Sequence, residues 1–410
     1  MKISRYWLLC VVFTLLLSAC GRSQDSWTSR DEESLAAAGT ESETETYAPD
    51  GPEEEMEAGA QIDQEADRLY FLNGNDISVN EDGGLTRVQS DCIVLRSNGQ
   101  YGMIDTGLDG FGGVQERLTQ QLQVLAQENG GQISLDFLII THAHMDHGGY
   151  FAELFDENPY VTLSEDCRIF MKPYEDNNPS YSDPEAEPLY NNAQVYEENM
   201  EVLTERYGDE LSSHLWQENP GEWQLGDFTL TFYNTAPEAA ESGRLNDNSI
   251  VTLVTHTNGT TALLMGDCEL SAEDNLIAGE LSGLGNVDIL KAGHHGMGTS
   301  SGITFLEQMG PKTVIATGIE GMYGQGYGGS LAAKCRDLGA ALYSTYQNDR
   351  GVAVDFGDEE GEYQIYNGSA CEERAETCPM ESGWIELEDG LRIFVDDSLV
   401  KTEEEIQSAQ

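Results

Sequence analysis

The segment Thr141-His142-Ala143-His144-Met145-Asp146-His147 directly follows the apolar run Asp136-Phe137-Leu138-Ile139-Ile140. Such a run reads as a buried strand whose end opens into a loop. The chain must therefore fold so that one strand end carries three imidazoles and a carboxylate to a common point. Only seven histidines occur in 410 residues, and five of them sit in this block and in Gly293-His294-His295-Gly296. His142 and His144, two apart, can converge on one cation, while Asp146 and His147 can turn towards a second. Imidazole nitrogens and carboxylate oxygens suit zinc, with manganese or iron as alternatives.

Two further apolar runs end in the same chemistry. Thr261-Ala262-Leu263-Leu264-Met265 leads into Gly266-Asp267, and Val287-Asp288-Ile289-Leu290 leads through Lys291 into His294-His295. Three strands thus deliver acids or imidazoles at their carboxyl ends, which in a layered α/β protein share one edge where ligands gather. A carboxylate such as Asp267 can bridge two cations and hold them close enough to share one water.

HxHxDH, a later Gly-Asp and a still later His resemble the metallo-β-lactamase-fold hydrolases, and most closely the C-terminal hydrolase domain of the competence protein ComEC. The resemblance rests on Gln89-Ser90-Asp91-Cys92-Ile93-Val94-Leu95, Met103-Ile104-Asp105-Thr106-Gly107, HxHxDH with Gly148-Gly149, Asn246-Asp247-Asn248-Ser249, Leu264-Met265-Gly266-Asp267 and His294-His295-Gly296 with Ser300-Ser301. It implies an α/β protein with the αββα four-layer sandwich and a dinuclear site in a shallow groove. The implied ligands of two divalent ions are His142, His144, Asp146, His147 and Asp267 together with one imidazole of the His294-His295 pair; spacing does not decide between the two, and His294, nearer the strand end, is the expected ligand. Asp146 and His295 are the expected catalytic groups, His295 as proton donor or oxyanion contact. Lys291 and Gln325 are the expected substrate contacts, Asp105 orients a ligand from behind, and Asp91 fixes local backbone.

Two departures stand out. No further ligand-type His is evident between HxHxDH and Asp267: His214 falls in a helical pattern from Val195 to Trp216, and His256, before the turn signal Thr257-Asn258-Gly259, reads as solvent-facing. Tyr323-Gly324-Gln325 stands where ComEC-like sequences carry Tyr-Gly-His, and glutamine cannot donate a proton as imidazolium does.

The first nineteen residues read as a signal: a basic start, a short apolar core from Tyr6 to Leu17, and Leu17-Ser18-Ala19-Cys20, which resembles a lipoprotein processing box. Cys20 is then the lipidation site, and the expected location is the extracytoplasmic face of a bacterial membrane, anchored through that lipid. Residues 20–68 are acidic and poor in large apolar groups, and read as a disordered linker. The net charge of −54 extends through the catalytic segment. With no basic stripe, long nucleic acid is disfavoured, whereas a small-molecule or cell-wall ester remains open.

Residues 69–368 form the expected hydrolase domain, with 157–220 as an insertion and 369–410 as an acidic tail. Cys92–Arg96 and Tyr101–Asp105 flank Ser97-Asn98-Gly99 as a hairpin, and 114–128 reads as a helix burying Leu118, Leu122 and Leu125. An exported setting permits a Cys371–Cys378 disulfide. From Gly383 to Asp396 the tail resembles one degenerate wall-binding repeat or a hairpin turning at Asp389-Gly390. Together these features imply a surface-anchored dinuclear hydrolase of phosphodiester or related ester bonds that uses an activated water between its metals. The alternatives are amide or lactam hydrolysis on the same fold, or a surface binding protein that has lost catalysis.

Overall fold

The computed structural model describes residues 66–367 except 80–84, 110–111, 157, 173–191, 217–220, 237–243, 319–330 and 348–350, together with 373–374, 383–386 and 392–395. All of these lie in the compact unit Ile62–Gln410. The signal segment, Cys20, most of the acidic linker, Gln325, Cys371, Cys378 and the Asp389-Gly390 turn lie outside the described residues. Among the described residues, no helix is long and apolar enough to cross a membrane.

In chain order the strands are β1 (Asp67–Phe71), β2 (Asp76–Val79), β3 (Leu85–Val88), β4 (Cys92–Ser97), β5 (Gln100–Thr106), β6 (Ile133–Ile140), β7 (Val161–Met171), β8 (Glu222–Leu225) and β9 (Phe228–Tyr233). There follow β10 (Val251–His256), β11 (Thr261–Leu264), β12 (Ile289–Lys291), β13 (Thr313–Ala316), β14 (Ala341–Ser344), β15 (Val352–Phe356), β16 (Tyr363–Asn367), β17 (Glu373–Arg374), β18 (Gly383–Glu386) and β19 (Arg392–Val395). One sheet runs β17-β16-β15-β1-β4-β5-β6-β7 and the other β14-β13-β12-β11-β10-β9-β8.

Side-chain alternation explains the layers, because successive residues of a strand face opposite sides. Leu69, Phe71, Ile93 and Leu95 of the first sheet pack with Leu230, Phe232, Val254 and Leu264 of the second, forming the core between the sheets. Their strand neighbours Tyr70 and Val94 turn outward, where Leu118, Leu122 and Leu125 of the helix Gly112–Glu128 cover them. On the far side, Leu253, Leu263 and Leu290 meet Leu276, Phe305 and Leu306 from helices. The result is helix, sheet, sheet, helix: the αββα sandwich.

The β4–β5 hairpin turns at Asn98 and Gly99, both with positive φ (50° and 74°). That is the backbone that an Asn-Gly pair adopts cheaply and that matches strand twist. The stretch 157–220 is not a peripheral insertion: β7 pairs in parallel with β6, and Leu163 and Ile169 from it, with Leu203 from the helix Asn192–Tyr207, are core residues. The first sheet also continues beyond residue 368, since β17 pairs with β16. In the tail, β18 and β19 form the antiparallel pair expected there.

Candidate metal centre

β5, β6 and β7 are parallel, as are β11, β12 and β13, so their carboxyl ends emerge at one edge. β4 runs antiparallel to β5 with Cys92 opposite Thr106, which places Asp91, just ahead of β4, beside Asp105 at the end of β5. The edge therefore gathers Asp91, Asp105, the HxHxDH loop, Asp267 and the His294-His295 pair.

The loop after β6 is tied down at its first residue. Thr141 donates its backbone N–H to Asp105 Oδ1 (2.7 Å) and its hydroxyl to Asp105 Oδ2 (2.8 Å). The chain then makes one helical turn, Met145–Gly148. A Cβ at Gly149 would stand 2.3 Å from Met145 O, so this tight exit requires glycine. After β11, Gly266 has φ 54°, and a Cβ there would stand 2.7 Å from Ser249 Cβ; Asp267 N is held by Ser249 Oγ at 2.9 Å. His294 and His295 both have positive φ, 46° and 57°, which is costly for residues with a Cβ and characteristic of functional loops.

Ligand-type atoms of Asp91, His147, Asp267 and His295 all lie within 4.8 Å of one another, and all four residues are buried. His147 Nε2 is 3.1 Å from Asp267 Oδ2, and His295 Nε2 is 3.4 Å from Asp267 Oδ2 and 3.2 Å from Asp146 Oδ2. The 3.1 Å approach is an ion-pair contact without hydrogen-bond direction: His147 Nε2 and both oxygens of Asp267 complete no hydrogen bond. Buried polar atoms normally find partners. Imidazole and carboxylate groups that converge without completing hydrogen bonds are a donor set that fits a divalent cation.

The opposite ring nitrogens are occupied. His147 Nδ1 meets Asp105 Oδ2 at 2.7 Å and His295 Nδ1 meets Asp91 Oδ1 at 2.9 Å. Each carboxylate thereby orients its ring so that Nε2 points inward, where that of His295 meets Asp146 Oδ2 at 3.2 Å. His142 and His144 sit alongside, His142 Nε2 being 2.9 Å from His144 Nδ1, with the His142 and His147 ring centroids 4.2 Å apart.

The electrostatics divide the histidines. Burial, helped by the neighbouring imidazoles, holds His142 well below its ordinary pKa; burial pulls His144 down to about 4. Both are neutral and able to coordinate. Burial acts the same way on His147 and His295, but the carboxylates of Asp267 with Asp105, and of Asp267 with Asp91, outweigh it. His147 rises well above its ordinary value and His295 to about 9. Protons there balance a negative field that cations would otherwise satisfy.

The structure separates the two adjacent histidines differently from the expectation. His295 is the one brought to Asp91, Asp146, His147 and Asp267. The side chain of His294 is 19% exposed; its Nε2 is 3.8 Å from Asp267, and its Nδ1 contacts Thr299 Oγ1 at 2.8 Å and Glu269 Oε1 at 3.3 Å. Lys291 is fully buried, with its ammonium on Asp91, 2.8 Å from Gly266 O and 3.6 Å from Asp267 Oδ1. That placement engages it within the cluster and does not present it to an incoming anion.

Sequence reasoning passed over Asp91 as a site residue. Its signal was its place directly before an apolar strand that pairs with the strand ending at Asp105. Glu269, two residues after Asp267, was missed for lack of a motif; it is held by Arg244 and by Asn246 Nδ2 at 3.1 Å. Lys172, at the end of β7, was missed too. It donates to Asn248 O at 2.6 Å beside an apolar cleft that includes His142, Met171 and Leu245.

His214 is a core position, its Nδ1 2.9 Å from Cys167 O and its ring stacked on Tyr207. His256 is not solvent-facing: it is 7% exposed, with Nε2 2.9 Å from Asp67 Oδ2. The Gly259 turn is present, but His256 continues the inward alternation set by Val254, and its ring lies against Phe228 and Phe356. Neither reaches His142.

Residues 85–239 match the family model described as the metallo-beta-lactamase superfamily. A curated relative is the ComE operon protein 3 of Bacillus subtilis (strain 168), 31% identical over 183 residues, covering 44% of this chain and 20% of that protein. The chain thus matches about a fifth of that relative's length. Among solved structures, the metallo-beta-lactamase fold protein YhfI from Bacillus subtilis is 12% identical, with 73% of this chain and 99% of that chain covered at a TM-score of 0.38. A metallo-beta-lactamase from Cronobacter sakazakii is 16% identical, with 48% and 63% covered at a TM-score of 0.25.

Proposed function

Because the chain carries a metallo-β-lactamase superfamily domain, we propose that it is a metal-dependent hydrolase of phosphodiester or related ester bonds, working with two divalent cations. The observation that carries this reading is the convergence of buried Asp91, His147, Asp267 and His295, with ligand-type atoms all within 4.8 Å of one another and with His147 Nε2 and both Asp267 oxygens completing no hydrogen bond. Charge supports it: Asp91, Asp105 and Asp267 are each at most 1% exposed, and among the described residues the buried ammonium beside them is that of Lys291. Lys291 alone does not balance three buried carboxylates, which is costly unless something positive joins them, either the protons that raise His147 and His295 or divalent cations in their place. Zinc is the first candidate, with manganese or iron as alternatives.

Cations held there would polarise the scissile group and supply an activated water. The chain's residues divide the remaining work. His147, His295, Asp146 and Asp267 form the fuller donor set, and His142 and His144 the thinner one, since neither His214 nor His256 adds a third imidazole. Asp105 holds His147 in the tautomer that points Nε2 inward. Asp267, whose Oδ2 lies 3.1 Å from His147 Nε2 and 3.4 Å from His295 Nε2, would be shared with the second cation. We assign the ligand role to His295, and to His294, at the mouth with Glu269 behind it, the delivery of a proton to the leaving group.

The ComEC-like motifs favour phosphodiesters, and the net charge of −54 favours small or cell-wall substrates over long polyanions. Lipidation at Cys20 would hold the enzyme on the outer face of the membrane. The test is turnover of chromogenic phosphodiester, phosphomonoester and lactam substrates with and without a chelator. Chelator-sensitive diester cleavage supports the reading; lactam turnover alone moves the substrate class, and no turnover with metal bound points to a binding protein.

A further inference from the structure

Asp91 presents a puzzle. Its carboxylate lies close enough to His147, Asp267 and His295 to count as a fourth donor to the same cation. Yet Oδ1 is engaged by His295 Nδ1 at 2.9 Å, and Oδ2 carries the Lys291 ammonium. Lys291 is itself fixed by Gly266 O at 2.8 Å, in the turn that launches Asp267, and is 0% exposed. Among the described residues, the companion carboxylate Asp105 carries no ammonium: Thr141 and His147 hold it.

Resting on the metal-centre reading above, we infer that Lys291 is a positioning residue that keeps Asp91 on His295 and off the cation, and so determines the ligand set. The ammonium occupies the oxygen of Asp91 that would otherwise turn inward. With that oxygen taken, Asp91 acts only on His295 Nδ1, and His295 Nε2 is aimed at Asp146 and Asp267. The same ammonium, through Gly266 O, ties the Asp267 turn to β12. One buried cation thereby orients two ligands that come from different strands. Removing its charge leaves His295 as the partner of the buried Asp91 and frees Oδ2, so the carboxylate can swing towards the metal.

The test uses the full chain loaded with Co2+, whose visible d–d absorption reports coordination number and ligand type. Lys291→Met keeps side-chain length and removes the charge, and Lys291→Arg restores it. The expected result for Lys291→Met is a changed d–d spectrum and a loss in metal affinity of about 10- to 100-fold, the range typical of disturbed outer partners. Lys291→Arg is expected to recover the affinity in large part. Asp91→Asn, which weakens the same link from the other side, is expected to lower affinity to a similar degree while retaining the wild-type ligand number, and it carries the test if Lys291→Met does not fold. Unchanged affinity and spectrum in a folded Lys291→Met, or in Asp91→Asn, would overturn the inference. If wild type binds no Co2+, the metal reading itself fails, which is a separate outcome.

Discussion

Two clusters of the same residue types stand at opposite edges of the sandwich. At the carboxyl ends of β5, β6, β11 and β12 are Asp91, His147, Asp267 and His295; at the far end of β10 are Asp67, Asp227 and His256. The second closes on itself: His256 Nε2 meets Asp67 Oδ2 at 2.9 Å, His256 Nδ1 accepts from Asn258 N at 3.3 Å, and Asp67 Oδ1 accepts from Asn98 N at 3.2 Å. The first leaves His147 Nε2 and both Asp267 oxygens without a hydrogen bond. Proximity of Asp and His is therefore common to a fastener between two sheets and to a metal centre. What distinguishes them is whether the donors are already satisfied.

The largest expected effect breaks the open cluster. Asp267→Ala should abolish stoichiometric metal binding and reduce chelator-sensitive turnover to background, read by elemental analysis and a diester assay. A fully loaded, active variant would remove Asp267 from the centre. Asp105→Asn should be milder, lowering metal affinity about 10- to 100-fold with the ligands themselves intact. A metal titration by calorimetry reads this directly, and an unchanged affinity would separate Asp105 from His147.

The closed cluster should respond in stability alone. His256→Gln should cost about 1.5–3 kcal/mol, the scale of a hydrogen bond to a charged partner, with metal content unchanged. The pH dependence follows from two opposed shifts. Against the pull of burial, the Asp67 bond raises His256 above 6.5, so its contribution is complete below that value and fades as pH rises through the folded pKa. His256 in turn outweighs burial and lowers Asp67 beneath 3.8, so that contribution holds above 3.8 and fades as pH falls through the folded pKa. The wild-type advantage over His256→Gln should therefore be widest between those two values, as denaturant unfolding at several pH values would show; a flat profile would contradict the pairing. Asp227→Asn, at the half-exposed rim, should change stability by less than about 0.5 kcal/mol. A larger loss, or a third metal bound at this cluster, would erase the distinction between the two edges.

The sequence made the layered α/β architecture and most of the candidate metal edge legible, because strands ending in HxHxDH, Gly-Asp and His-His bring imidazoles and carboxylates to one edge. Local signals were equally direct at Asn98-Gly99 and along Leu118, Leu122 and Leu125. What escaped was set by pairing between distant segments. Asp91 belongs to the centre only because β4 runs back along β5. Lys291 is buried because β12 lies between β11 and β13. The strand β7 looked peripheral because its outward residues are polar. The order of His294 and His295 was beyond spacing arguments, since consecutive positive φ angles rotate the two rings apart. His256 was legible after all: counting inward from Val254 by twos places it inside.

The most direct measurement of the central claim is the metal content of the purified full chain after equilibration with Zn2+ and removal of free metal, beside Asp267→Ala and His256→Gln. The account predicts two zinc ions per chain in wild type and in His256→Gln, and loss of stoichiometric binding in Asp267→Ala. A folded wild type with less than one ion per chain, or metal that leaves with His256 and stays without Asp267, would contradict it.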